Sequence, residues 1–147
     1  MSKKRKIAVV CTNGSAVIPS NAHSSDAGYD LTAIALVKDY GNGVYLYDTG
    51  LQLIPMDTDV YFDLVARSSL PKMGYMLANS VGIIDNEYRG NVMIQLYKFD
   101  PNAAPLSLPC RVAQLIPRRM LPVEFEETVE TTTTTTARGD GGFGSTN

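Results

Sequence analysis

Five polar clusters hold the side chains that can do chemistry: Asp26-Ala27-Gly28-Tyr29-Asp30-Leu31, Ala66-Arg67-Ser68-Ser69-Leu70, Asn79 through Gly90, Arg111-Val112-Ala113-Gln114-Leu115, and the Gly-rich end from Arg138 to Asn147. Carboxylates act as bases or meet hard cations. Arginines are planar forks for phosphate oxygens, and hydroxyls and carboxamides donate and accept hydrogen bonds. The N–H groups of the Gly-rich end, with Arg138, Ser145 and Thr146, can wrap an anion; the same composition also suits a plain disordered terminus. Other chemistries drop out. His23 is the only histidine, so zinc sites of the H-E-x-x-H kind are excluded. Gly139, Gly141 and Gly144 fit G-x-G-x-x-G by letter, but a dinucleotide loop needs a strand before it and a helix after it. Here a run of six threonines precedes it, and only three residues follow.

The elements that must position these clusters read as short strands. The 147 residues suit one domain, and 44% hydrophobic content supports a core without disulfide staples. Ile7 to Cys11 is an apolar, β-branched run, Asn13-Gly14 is a turn, and Gly41-Asn42-Gly43 separates two strand-like stretches, the second being Val44 to Tyr47. Along Val60 to Val65 the pattern puts Tyr61, Asp63 and Val65 on one face and Phe62 and Leu64 on the other. Ser69-Leu70-Pro71 predicts a short helix with Ser69 as N-cap and Pro71 in its first turn. Tyr75 to Ile84 and Asn91 to Phe99 read as strands around a hairpin-length loop, Asp85 to Gly90; Arg111 to Ile116 and Val123 to Phe125 read as the last two. The fold class expected is all-β, a sandwich or barrel. Residues 1–130 form its domain, with a basic, frayed arm over 1–6 that reads as a nuclear import signal or a solvated terminus. Residues 131–147 form a Thr-rich tether and a flexible Gly-rich arm.

Thirteen Lys and Arg against 15 Asp and Glu give a net charge of −2, which argues against a nucleic-acid partner bound through bulk charge. No apolar run reaches membrane-span length, and no secretory h-region follows the basic start. Cys11 and Cys110 lack metal spacing and read as reduced thiols, so the expected location is intracellular, cytoplasmic or nuclear.

In this order and spacing the five clusters resemble the five motifs of the trimeric deoxyuridine triphosphate nucleotidohydrolases, the dUTPases, from about Asp26 to Asn147. The resemblance implies a jelly-roll subunit and a homotrimer with shared active sites, the C-terminal arm closing over one. It implies hydrolysis of dUTP to dUMP and pyrophosphate with Mg2+. Asp30 matches the aspartate that holds the metal through water, and Asp85 the catalytic base that aims a water at the α-phosphorus. Arg67, Ser68 and Gln114 match phosphate-chain contacts, and Ser69 stands where Gly or Ser is usual. Asn79 matches the side chain at the uracil edge, with Gly82 and Ile84 on the same hairpin, and Tyr88 matches the aromatic under the deoxyribose. Arg138 matches the γ-phosphate arginine, Phe143 the ring that stacks on uracil, and Gly144, Ser145 and Thr146 the phosphate wrap.

Blander readings of the same residues stay open at the level of sequence. Asp26 suits a loop cap, Arg67 a surface ion pair, Asp85 a turn and Tyr88 an exposed aromatic. Two other functions share the fold: a dCTP deaminase-like enzyme, which would not need the Phe143 to Thr146 arm, and a non-catalytic nucleotide-binding jelly roll.

Overall fold

A computed structural model describes residues 3–129 and 136–144. Ten strands carry the fold: β1 (Ile7–Cys11), β2 (Tyr29–Ala33), β3 (Ala35–Asp39), β4 (Val44–Asp48), β5 (Leu51–Pro55), β6 (Val60–Ala66), β7 (Tyr75–Leu77), β8 (Gly82–Ile84), β9 (Met93–Lys98) and β10 (Cys110–Arg119). Every pairing among them is antiparallel. One four-stranded sheet runs β2-β10-β6-β8, another runs β3-β4-β9-β7, and β1 pairs with β5. This is the all-β architecture that the spacing of short strands predicts, and it matches the jelly-roll-like subunit that the resemblance implies.

Both four-stranded sheets feed one core. Leu31, Phe62, Leu64 and Leu115 from the first meet Tyr47, Tyr75, Ile94 and Leu96 from the second, with Leu51 and Leu53 from β5. The predicted faces of β6 hold: Val60, Phe62 and Leu64 are buried, and Asp63 on the other face is bridged by Arg118 at 2.9 Å. Truncating Leu64 to Ala would cost about 2–5 kcal/mol. Burial pushes the Tyr47 phenol up to about 12, so it stays neutral in the core at physiological pH. No helix among the described residues is long and apolar enough to cross a membrane.

Five local expectations need correction. Tyr75 to Ile84 is two strands, because Ser80 takes a left-handed φ of 64° and the chain passes from the β9 edge to the β6 edge. Asp85 to Gly90 is accordingly a crossover between sheets and not a hairpin, since β8 and β9 never pair. Ser69 does not cap the short 3-10 helix Pro71–Met73; the cap position falls on Leu70, whose burial fixes the turn, although Pro71 does open it. Val123 to Phe125 forms no strand: it has the right alternation but pairs with none of the described strands. The basic arm is not frayed over its described part. Arg5 Nη1 lies 2.7 Å from Asp59 and 3.3 Å from Asp57, and Met56 N donates to Lys6 O at 3.0 Å. The Arg5 guanidinium, first through its hydrogen bond, lowers the Asp59 carboxyl below its ordinary value.

Candidate active site

Beyond Ala66 the chain leaves β6 in a tight turn. Arg67 N donates to Val112 O at 3.2 Å, Leu70 N donates to Arg67 O at 3.0 Å, and the Leu70 side chain is fully buried. The turn is therefore pinned at both ends, leaving Ser68 exposed and Ser69 half-buried. Arg67 Nε meets Asp30 Oδ1 at 3.0 Å, and Arg67 Nη1 donates to Arg111 O at 3.2 Å. Arg111 Nη1 lies 3.7 Å from Asp30 Oδ2. Gln114 faces Asp30 across the β10–β2 ladder and donates from Nε2 to Ala66 O at 3.0 Å.

Strand register thus gathers Asp30, Arg67, Ser68, Ser69 and Gln114 at one end of the sheet. Two guanidiniums against one carboxylate leave an excess of positive charge there. Partly exposed ion pairs of this kind are worth only about 0–1 kcal/mol, so Arg67 can exchange Asp30 for a phosphate at little cost. Arg111 belongs to this cluster although its role was not legible; the signal was its place in the same motif as Gln114.

Gly28 fits the cluster by lacking a side chain. A Cβ there would overlap Gln114 Oε1 and come within 2.8 Å of Cδ. Gln114 would swing away and lose its bond to Ala66 O. Gly28→Ala should therefore leave the fold within about 1 kcal/mol of wild type while lowering kcat/KM about tenfold; a melting curve beside steady-state kinetics checks both halves.

The second cluster surrounds β8. Val81 N donates to Asn79 O at 2.7 Å, a tight turn that leaves the Asn79 side chain exposed. Gly82 is buried against Leu64, whose Cβ would lie 3.3 Å from a Cβ at position 82. Ile84 is half-buried, opposite Phe62. Past it, Asp85 is exposed and takes part in none of the ion pairs among the described residues. Its carbonyl accepts from Tyr88 N at 3.1 Å. Asn86 anchors the loop, with Nδ2 donating to Asp57 O at 2.8 Å and Val60 O at 2.7 Å. Arg89 Nη1 closes the turn on Asn86 O at 2.6 Å. The Asn86 anchor was not foreseen, because both its partners are distant in sequence.

Asp85 does not meet the Arg67 cluster within one chain. The β6–β8 register pairs Leu64 with Gly82 and Phe62 with Ile84, so Asp85 lies toward the Tyr61 end of β6. Arg67 lies beyond the other end, about 20 Å away at ~3.3 Å per residue.

In the described part of the C-terminal segment, Arg138 Nε donates to Gly141 O at 2.8 Å and Gly141 N donates to Arg138 O at 3.1 Å. Gly139 N donates to Thr136 Oγ1 at 3.0 Å. Phe143 is fully exposed at a φ of 52°, and Gly144 follows at 84°. Ser145, Thr146 and most of the threonine tether lie outside the described residues. Asp26 proves to be a loop cap, its Oδ2 accepting from His23 N at 2.9 Å.

No group of three or more His, Cys, Asp or Glu able to hold a metal comes together among the described residues. A divalent ion held by protein alone does not fit. A hydrated Mg2+ held mostly by a ligand's own oxygens would fit, because it needs only one nearby carboxylate, and Asp30 is the carboxylate in this cluster.

Comparison with known proteins bears on the whole chain. A family model described as dUTPase matches residues 14–147. The deoxyuridine 5'-triphosphate nucleotidohydrolase of Clostridium novyi (strain NT) is 36% identical over 143 residues, covering 96% of this chain and 98% of that protein. Among solved structures, a dUTPase mutant of Staphylococcus bacteriophage 80alpha with dUpNHpp superposes with a TM-score of 0.76 at 19% identity, covering 96% of this chain and 98% of that one. A mutant dUTPase from phage phi11 of S. aureus, in which a structural Mg(II) ion is coordinated, superposes at 0.69 and 18% identity, covering 87% and 99%.

Proposed function

The chain belongs to the dUTPase family, and from that premise we propose that it hydrolyses dUTP to dUMP and pyrophosphate in sites built between copies of itself. Such an enzyme keeps uracil out of DNA and supplies dUMP. The observation that carries the shared site is the separation of Asp85 from Arg67 along β6. A single carboxylate base and the phosphate forks must flank the same nucleotide, so they come from different copies.

In this reading Arg67, Ser68, Ser69 and Gln114 hold the phosphate chain, with Arg111 beside them. Asn79 and the backbone of Gly82 and Ile84 read the uracil edge, and Tyr88 lies under the deoxyribose. Asp85 orients a water and takes its proton as the water oxygen bonds to the α-phosphorus. The bond from that phosphorus to its bridging oxygen breaks, and pyrophosphate leaves with its new charge met by the Ser68 hydroxyl and Arg67. Mg2+ would offset phosphate charge when bound, and Asp30 would be the residue to hold it through water. Residues 131–147 act as a tether and an arm apart from the β domain of residues 1–130. Arg138 reaches the γ-phosphate, Phe143 stacks on uracil, and Gly144, Ser145 and Thr146 wrap the phosphates. The exposed Phe143 ring supports this, since it is free to stack.

The family resemblance implies a trimer, and two surfaces support assembly. Leu121, Val123, Phe125 and Val129 are exposed, with Glu124 and Glu126 between and beside the apolar residues and Glu127 and Thr128 before Val129. A cavity of about 480 Å³ lined by Ile7, Val9 and Phe62 with Arg5, Arg118 and Arg119 offers complementary apolar and cationic lining. An acidic-apolar strip from a neighbouring copy suits it.

Pyrophosphate release from dUTP, dTTP, dCTP and UTP, with and without Mg2+, tests the activity. Turnover should be confined to dUTP, and ammonia released from dCTP would favour the deaminase instead. The shared site has a sharper test. Asp85→Asn and Arg67→Ala variants are each expected to be inactive. Mixed, unfolded and reassembled at equal amounts, they should regain about a quarter of the wild-type rate, as random assortment in a closed symmetric oligomer requires. No recovery, with mixed oligomers shown to form, would place each whole site inside one chain.

A further inference from the structure

The network behind Tyr88 is assigned no role by the reading above. Tyr88 OH donates to the Asn91 carbonyl at 2.8 Å. Its ring folds over Gly90 so closely that a Cβ there would overlap the hydroxyl. The position of the ring is therefore set by the backbone of residues 90 and 91.

That backbone is held with unusual completeness. Asn91 Nδ2 donates to Asp48 Oδ1 and Oδ2, each at 3.1 Å, and to Thr12 Oγ1 at 3.0 Å. Asn91 Oδ1 accepts from Gln52 Nε2 at 3.2 Å. Asp48 is itself fixed, accepting Gly50 N at 2.8 Å. On the next residue, Val92 O accepts the buried Thr49 hydroxyl at 2.7 Å and Val92 N donates to Leu51 O at 2.7 Å. Contacts from β4, β5 and the segment after β1 thus converge on two residues that bear no part of the proposed chemistry. Their one outward connection to the site is the Tyr88 hydroxyl.

We propose that Asn91, locked by Asp48, is a positioning residue that fixes the Tyr88 ring and thereby sets discrimination between deoxyribose and ribose nucleotides. The inference rests on the reading that Tyr88 lies under the sugar. A ring excludes a 2′-hydroxyl strongly only if it cannot retreat, because an apolar pocket alone rejects an added hydroxyl by only about a hundredfold. A half-buried side chain with all its amide groups satisfied by rigid strands supplies that resistance. A single bond from the Tyr88 hydroxyl to a free loop carbonyl would not.

The test is a donor-acceptor exchange read as the ratio of kcat/KM for dUTP to kcat/KM for UTP. Asn91→Asp sets two carboxylates against each other and should lower the ratio about tenfold or more, mainly through faster UTP turnover. Adding Asp48→Asn restores a pair. The amide introduced at 48 can donate to the carboxylate introduced at 91, which still accepts from Gln52, while its oxygen still accepts from Gly50 N. The double variant should regain most of the ratio. Tyr88→Phe should lower the ratio to the level of Asn91→Asp, and combining the two should add little. A purely structural role predicts that both activities fall together at constant ratio, and that result would overturn the proposal, as would an exchanged pair that folds but regains no selectivity. Tyr88→Ala separates the premises. If it leaves the ratio unchanged, the placing of Tyr88 under the sugar fails; if it lowers the ratio while Asn91→Asp does not, the positioning role alone fails. Should Asn91→Asp not fold, the exchanged pair and Tyr88→Phe still decide.

Discussion

Asp85→Asn should lower kcat for dUTP about a thousandfold, within the 10²–10⁴ that a positioned general base supplies. The amide matches the carboxylate in shape but cannot take a proton from the attacking water. Binding should survive, with KM changed by less than about threefold, because the side chain acts on the water in the transition state and not on the ground-state nucleotide. The local frame should survive too. The loop is held by the Asn86 amide on Asp57 and Val60 carbonyls and by the Asp85 backbone carbonyl, none of which uses the Asp85 carboxylate. Pre-steady-state kinetics with a fluorescent nucleotide analogue would separate the steps: binding near normal, chemistry nearly abolished. Turnover close to wild type would remove Asp85 from the reaction.

Deletion of residues 137–147 should lower kcat/KM by about 10²–10³, the usual consequence of losing preorganised donors to developing charge. The melting temperature should move by no more than about 2–4 °C. The asymmetry follows from exposure: Phe143 is fully exposed, Arg138 bonds to Gly141, and Gly139 reaches only the exposed Thr136 just before the deletion. On the proposed reading substrate binding orders the arm, so its loss should appear chiefly as weaker phosphate binding and slower chemistry. A truncated chain that unfolds, or one that works at full rate, contradicts this division of labour.

Local features of the fold were legible in the residues where chemistry and geometry are themselves local. The β-branched run Ile7 to Cys11 matches β1 residue for residue, and Gly41-Asn42-Gly43 opens the β3–β4 hairpin. The break between β7 and β8 was hidden, because apolar alternation does not reveal which sheet edge a strand joins. The N-cap shifted from Ser69 to Leu70 because burial of a leucine outweighs one hydroxyl bond. The candidate site was legible as residue types in order. Its division between two ends of β6 was not, since it follows from a register between strands far apart in sequence. The Asn91 amide shows the same limit: its partners at positions 12, 48 and 52 have no local pattern linking them to Tyr88.

The uncovered strip from Leu121 to Val129 has a consequence for how the protein must be made. A chain newly released from the ribosome presents Phe125 at 96% and Val129 at 97% exposure, with no fold of its own to hide them. In the proposed assembly a neighbouring copy covers that ribbon; uncovered, it is adhesive toward any open β edge. Because association rises with chain concentration, dilution should leave the ribbon uncovered for longer.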